Sequence, residues 1–374
     1  MRIGVLTLPL HTNYGGILQA YALQQVLKRM GHDAVLLDRK RFSLPPWYLR
    51  PLKYGKRIFN KFILGKHISV FAEKNKIKEQ NIKQRFTKVF VCDNIERFIF
   101  KSYDKIKAED YDCLIVGSDQ VWRPKYANYL LNGIGHSFLD FAETWKIRRV
   151  AYAASFGTND WEYTEEEAEE CKRLLEKFDY VSVREKDGID LCLKHFGIEA
   201  NLLLDPTLLL DKNDYIKLFE KKQTPPSNGN LMVYVLDRNP DTDNFITQYA
   251  NRRGLVPFYT NTQVDNGQIN INERVQPPLE KWLRGFYDAE FIITDSFHAC
   301  VFSILFNKNF VVLGNATRGL SRFDSLLSMF GLEDRMVSDL ESAIALPLIE
   351  YAKVNEKVKE MRDMSISYLR EALH

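Results

Sequence analysis

Short apolar runs recur along this chain, separated by stretches with helical periodicity. The runs at 3–8, 34–37, 113–116, 150–154, 180–183 and 202–204 are apolar on both faces, as strands of a covered parallel sheet are. Between the first two, Leu23, Val26, Leu27 and Met30 fall at i, i+3, i+4 and i+7. They predict a helix over 17–30 that Gly31 stops. Further helices are predicted near 73–85, over 164–178 (with Thr164 and Glu167 as a capping box) and over 186–195. A turn-rich stretch at 223–230, QTPPSNGN, breaks the pattern. Beyond it, runs at 231–236, 256–259, 291–294 and 310–313 alternate with helical segments near 241–253, 279–288 and 297–306, and the chain closes on a charged helix over 350–373. Such alternation predicts an α/β fold with parallel sheets and right-handed crossovers. We read two Rossmann-like domains, 1–222 and 223–349, followed by a C-terminal helix over 350–374, with the two sheets facing a central cleft.

Polar signatures follow these strands. They are Asn13-Tyr14-Gly15-Gly16, Gly117-Ser118-Asp119-Gln120, Ser155-Phe156-Gly157, Arg184-Glu185, Asp205-Pro206, Asp237-Arg238, Thr260-Asn261, Asp295-Ser296-Phe297-His298 and Gly314-Asn315. Open parallel sheets bind ligands outside the carboxyl ends of their strands. Hydroxyls, amides, a guanidinium and an imidazole gathered there point to an enzyme.

Size and composition refine the picture. A chain of 374 residues exceeds the usual single core. The start, MRIGVLTLPL, lacks the apolar stretch and small-residue cleavage site of a signal peptide, and no apolar run approaches about 20 residues. The expectation is a cytoplasmic protein. Five scattered cysteines without C-x-x-C spacing argue against a disulfide framework or structural zinc, and Cys113 and Cys300 read as small buried hydrophobes. The net charge of +3 hides a basic excursion over 39–66. Between Asp38 and Glu73 there are nine cations and no acid, interleaved with Trp47, Tyr48, Tyr54, Phe59, Phe62 and Ile63. This mixture suits an anionic membrane surface. A solvated helix face is the alternative, and without any accompanying motif nucleic acid is not expected.

Candidate chemistry follows from position. Gly15 and Gly16 at a helix start would let an anion approach backbone N–H groups, with Asn13 and Tyr14 beside it. In the loop Gly117–Trp122, Ser118, Asp119, Gln120 and Trp122 suit a sugar, although Asp119 would also serve as a helix cap. Arg184, directly after a strand, should meet an anion: a ligand's carboxylate or phosphate, or a neighbouring acid. His298, just inside a helix start behind Asp295 and Ser296, moves protons near neutral pH. Arg318 and Arg322 follow the next strand and would add positive charge. H-E-x-x-H, a Walker loop and G-x-S-x-G are all absent from the sequence, and neither a bound metal nor a cofactor is expected.

Taken together, NYGGILQAYALQQVLKRMGH, DCLIVGSDQVWRP, AYAASFG, SVREKDG, LLLDPTLLL, ITDSFHACVFSILF and RFDSLLSMFGL resemble the polysaccharide pyruvyl transferase family, from Ile3 to about Val337. The resemblance implies a fold similar to two-domain GT-B glycosyltransferases. It implies transfer of the enolpyruvyl unit of phosphoenolpyruvate onto two hydroxyls of a galactose- or mannose-type sugar, in a cell-surface polysaccharide or its lipid-linked precursor. It places the catalytic histidine at His298 and an essential arginine at Arg184. Many members carry Arg-Leu-His where this chain has Ser296-Phe297-His298, so Arg318, Arg322 or Ser296 must take over the missing cation's work. The donor set is then Gly15, Gly16, Arg184, Ser296, His298, Arg318 and Arg322; the acceptor set is Asn13, Tyr14, Ser118, Asp119, Gln120, Trp122 and Ser155. A nucleotide-sugar glycosyltransferase of GT-B type and a non-catalytic glycan-binding relative are the competing expectations.

Overall fold

A computed structural model describes residues 1–40, 44, 47–262, 270–314 and 320–374. Strands β1 (Arg2–Leu6), β2 (Asp33–Arg39), β3 (Arg97–Phe100), β4 (Cys113–Val116), β5 (Arg148–Ala154), β6 (Tyr180–Val183) and β7 (Asn201–Leu202) form one sheet in the order β3-β2-β1-β4-β5-β6-β7. A second sheet holds β8 (Leu231–Tyr234), β9 (Pro257–Tyr259), β10 (Phe291–Thr294), β11 (Asn309–Leu313) and β12 (Met336–Val337), in the order β12-β11-β10-β8-β9. Every pairing is parallel. Strand order reverses beside β1 in the first sheet and beside β8 and β10 in the second. Those are the switch points where an open sheet leaves a crevice.

The helices are α1 (Tyr14–Arg29), α2 (Arg50–Phe62), α3 (Ala72–Lys83), α4 (Arg85–Asn94), α5 (Pro124–Leu130), α6 (Glu165–Leu175), α7 (Lys186–Leu191), α8 (Lys212–Lys221), α9 (Pro240–Arg253), α10 (Leu279–Asp288), α11 (Phe297–Leu305), α12 (Ser321–Phe330), α13 (Leu340–Ala345) and α14 (Tyr351–Ala372). The Thr164–Glu167 capping box forms at the start of α6. All nine residues of α11 are buried, as a helix apolar all round must be. Among the described residues no helix is long and apolar enough to cross a membrane. All five cysteines are free thiols, and burial pushes Cys113, Cys171, Cys192 and Cys300 well above the ordinary thiol range.

One apolar core joins the two sheets. It runs from Ile3, Val5 and Ile115 under the first sheet through Tyr14, Ile17, Tyr215 and Phe302 to Trp282, Ile292 and Val312 under the second. Helix α8 packs on the second unit, Phe219 against Tyr287 and Tyr215 against Phe302, while Arg29 of α1 grips its Asp214. Helix α14 begins beside the second sheet, where Tyr351 Oη donates to Lys308 O, and ends on the first. There Arg362 donates to Leu208 O and Leu210 O, and Ser365 Oγ accepts from Leu204 N.

Candidate active site

A polar cavity of about 400 Å³ opens where the carboxyl ends of both sheets meet. The loop after β1 contributes Asn13; the loop after β4 gives Asp119, Gln120 and Arg123; Leu236 and Asp237 follow β8, and Ser296 and His298 follow β10. Arg322 of α12 closes it. Asn13 caps α1 and Ser296 caps α11 by position, yet neither side chain makes a capping hydrogen bond. The N-termini of α1 and α11 thus face the cavity, where first-turn N–H groups favour an anion.

His298 sits on the first turn of α11 and packs against α1. A Cβ on Gly15 would lie 2.1 Å from its Cγ and Nδ1 atoms. Its Nε2 is buried, 3.5 Å from Asp205 Oδ2, too far for a strong hydrogen bond but close for a charge. The same Oδ2 accepts from Arg184 Nη1 at 2.7 Å, while Oδ1 accepts from the backbone N and Oγ1 of Thr207. Burial opposes the charge on Asp205, but His298, then Arg184, then the Thr207 amide hold its carboxyl far below the ordinary range. Burial likewise opposes the Arg184 charge, yet Asp205, Glu185 and Asp119 raise its pKa, so it stays a cation. Glu185 is fixed by Ser155 Oγ and the amides of Phe156 and Gly157.

Arg184 does not reach the cavity wall. Its side chain is 2% exposed and lies beneath Phe297, the guanidinium carbon 4.4 Å from the ring centre. Arg322, 5.8 Å from the same ring, is the guanidinium that lines the cavity. Burial, then the charge of Arg184, pushes its pKa down to about 10.

The remaining expectations divide. Asn13, Asp119, Gln120, Ser296, His298 and Arg322 meet at the cavity. Four acceptor candidates are corrected by their burial. Tyr14 Oη donates to Pro277 O at 2.7 Å and its ring packs on Trp282 and Tyr234, so it ties α1 to the second unit. Trp122 stacks on Phe138 and donates to Ser137 O within the core. Ser118 donates to Ala153 O, and Ser155 anchors Glu185. Gly15 is corrected too: the His298 ring occupies the space expected for a ligand. Gly16 stands close to Asn13 Nδ2 and Asp119 Oδ2. Arg318 lies outside the described residues. Arg123, Lys125 and Tyr126 line the cavity without having been singled out for it, and Asp237 lines it from the signature after β8. The sequence offered one signal for Asp205, an acid in the signature after β7.

The geometry can be set beside known proteins. A family model described as polysaccharide pyruvyl transferase matches residues 13–317. No curated protein sequence matches. The solved UDP-GlcNAc 2-epimerase from Neisseria meningitidis, bound to UDP-GlcNAc, is 12% identical; the match covers 99% of this chain and 100% of that one, with a TM-score of 0.50. The UDP-GlcNAc 2-epimerase from Methanocaldococcus jannaschii is also 12% identical, covering 97% and 93%, with a TM-score of 0.45. The ADP-heptose lps heptosyltransferase II of E. coli is 11% identical over 97% and 99%, with a TM-score of 0.36. The fold is GT-B-like: two Rossmann-like units with parallel sheets.

Proposed function

The chain belongs to the polysaccharide pyruvyl transferase family, and from that premise we propose that it moves the enolpyruvyl unit of phosphoenolpyruvate onto two hydroxyls of one sugar. The product is a cyclic pyruvate ketal, and inorganic phosphate is released. A galactose- or mannose-type sugar of a surface polysaccharide, or of its lipid-linked precursor, is the acceptor class. The observation that carries this reading is His298 in the wall of a shared cavity, backed by the carboxylate that Arg184 also holds. A buried Asp205 anion beside Nε2 favours the proton on that nitrogen and leaves Nδ1 as the base.

The chemistry then balances. His298 takes the proton of the first sugar hydroxyl as its oxygen bonds to C2 of the donor, and passes that proton on to C3, which becomes a methyl group. The C2–O bond to phosphate breaks, the second hydroxyl bonds to C2, and its proton leaves with the phosphate. Arg322 supplies the cation that the Ser296 position lacks. Arg123, Lys125 and the open ends of α1 and α11 add to a field suited to a donor with both carboxylate and phosphate. Arg184 is a positioning residue, acting through Asp205.

Phosphate release from phosphoenolpyruvate with a glycan acceptor tests the reading. His298→Ala is expected to lose roughly 10²–10⁴-fold while the fold is retained. A fully active variant would remove the histidine from the reaction. Protection against heat by UDP or GDP, without protection by phosphoenolpyruvate, would instead favour a nucleotide-sugar transferase.

A further inference from the structure

Helix α2 is built inside out for a surface helix. Leu52, Phe59, Phe62 and Ile63, spaced i, i+7, i+10 and i+11, share one face, and no residue of the helix is buried. Leu52 is 76% exposed, Phe62 71% and Ile63 68%, and Trp47 just before the helix is 77% exposed. A surface helix of a soluble protein ordinarily turns its apolar stripe to the core. Here the polar side is the one held: Lys53 and Arg57 both pair with Glu73 of α3, and Arg57 also donates to Val70 O. Tyr54, on the flank, packs edge-on against Phe71. These contacts fix the apolar face outward.

We propose that α2 docks this protein on an anionic lipid surface, lying in the headgroup plane with Leu52, Phe59, Phe62 and Ile63 inserted. Charge complementarity selects this occupant. Lys56 flanks the apolar stripe, Lys61 Nζ lies 5.5 Å from the Phe62 ring centre, Arg50 opens the helix and Lys66 follows it, and no acid occurs between Asp38 and Glu73. Interfacial helices combine an apolar face with flanking cations in this way. A second copy of the same face would bring like charges together. Helix α3, which holds α2, also lines a cavity of about 310 Å³ with His11, Arg39 and Lys40, and His11 stands two residues before Asn13 of the catalytic cavity. If the pyruvyl-transfer reading holds, the glycan of a lipid-linked acceptor would reach the site from this side.

The test uses the full chain and phosphatidylcholine vesicles with and without phosphatidylglycerol, read by co-sedimentation and by the blue shift of Trp47 fluorescence. Partition only onto the phosphatidylglycerol vesicles, falling with added salt, is expected. Lys56→Ala and Lys61→Ala should each weaken it roughly fivefold. The double variant Leu52→Ser, Phe62→Ser should abolish it while leaving phosphate release with a water-soluble acceptor intact. Absence of partition, or partition that these variants do not change, would overturn the proposal. So would a concentration-dependent dimer, or binding to a short RNA, that the serine variants abolish in place of vesicle binding. Partition is read without turnover, so its failure leaves the catalytic reading standing.

Discussion

A methyl group at position 15 would meet the His298 ring at 2.1 Å, inside any tolerable carbon contact. Gly15→Ala should therefore displace the imidazole, lower phosphate release on the order of 10²-fold and cost about 1–3 kcal/mol of stability. Asp205 carries a different burden, since it neutralises a buried guanidinium. Asp205→Asn should destabilise by about 3–5 kcal/mol, whereas Asp93→Asn in the exposed Lys222–Asp93 pair should cost under about 1 kcal/mol. The folded pKa of Asp205 is depressed, so its contribution is present above the unfolded value and lost as pH falls through the folded one. The difference in urea midpoint between wild type and Asp205→Asn should be flat from neutral pH to about 4 and shrink below it. Arg322 works in the opposite sense. Its folded pKa of about 10 lies below the ordinary arginine value, so the folded state binds fewer protons in the window above 10 and stability rises with pH there. At neutral pH the buried cation is a cost, one that the proposed anionic donor would offset. Arg322→Met should raise the thermal midpoint and weaken protection by phosphoenolpyruvate, both read in one melting series.

Elements show what the pattern of residues could and could not reveal. Strands β4, β6 and β10 and helix α10 fall where their apolar runs predict, because covered parallel strands need no partner to be recognised. β3, whose Phe98 and Ile99 are exposed at a sheet edge, escapes that pattern. The helix expected near 73–85 gives way at Gln84 to a second, α4. α2 was legible only as a basic, aromatic excursion, since Pro51 and Gly55 mask its periodicity. At the site, position along a strand predicted His298, Ser296 and Asp119, but burial depends on partners remote in sequence. Trp122 becomes core because Phe138 stacks on it, and Tyr14 because Pro277 O accepts its hydrogen bond. The cap of α6 serves the element alone: Thr164→Ala should cost about 1 kcal/mol by thermal denaturation and leave phosphate release unchanged.

At the scale of the molecule, the site exists only where both sheets end together, and Tyr14 is one of the bonds that keeps them so. Tyr14→Phe should cost about 1 kcal/mol without changing the KM for the acceptor; a raised KM would return this tyrosine to the sugar site. The shared apolar interior and the returning final helix have a consequence for the chain as a polymer. A protease cutting the exposed segment around Gln223 and Asn228 would leave two pieces that still travel as a single particle under native conditions. Separated in denaturant, neither piece should regain its form until the other is added back.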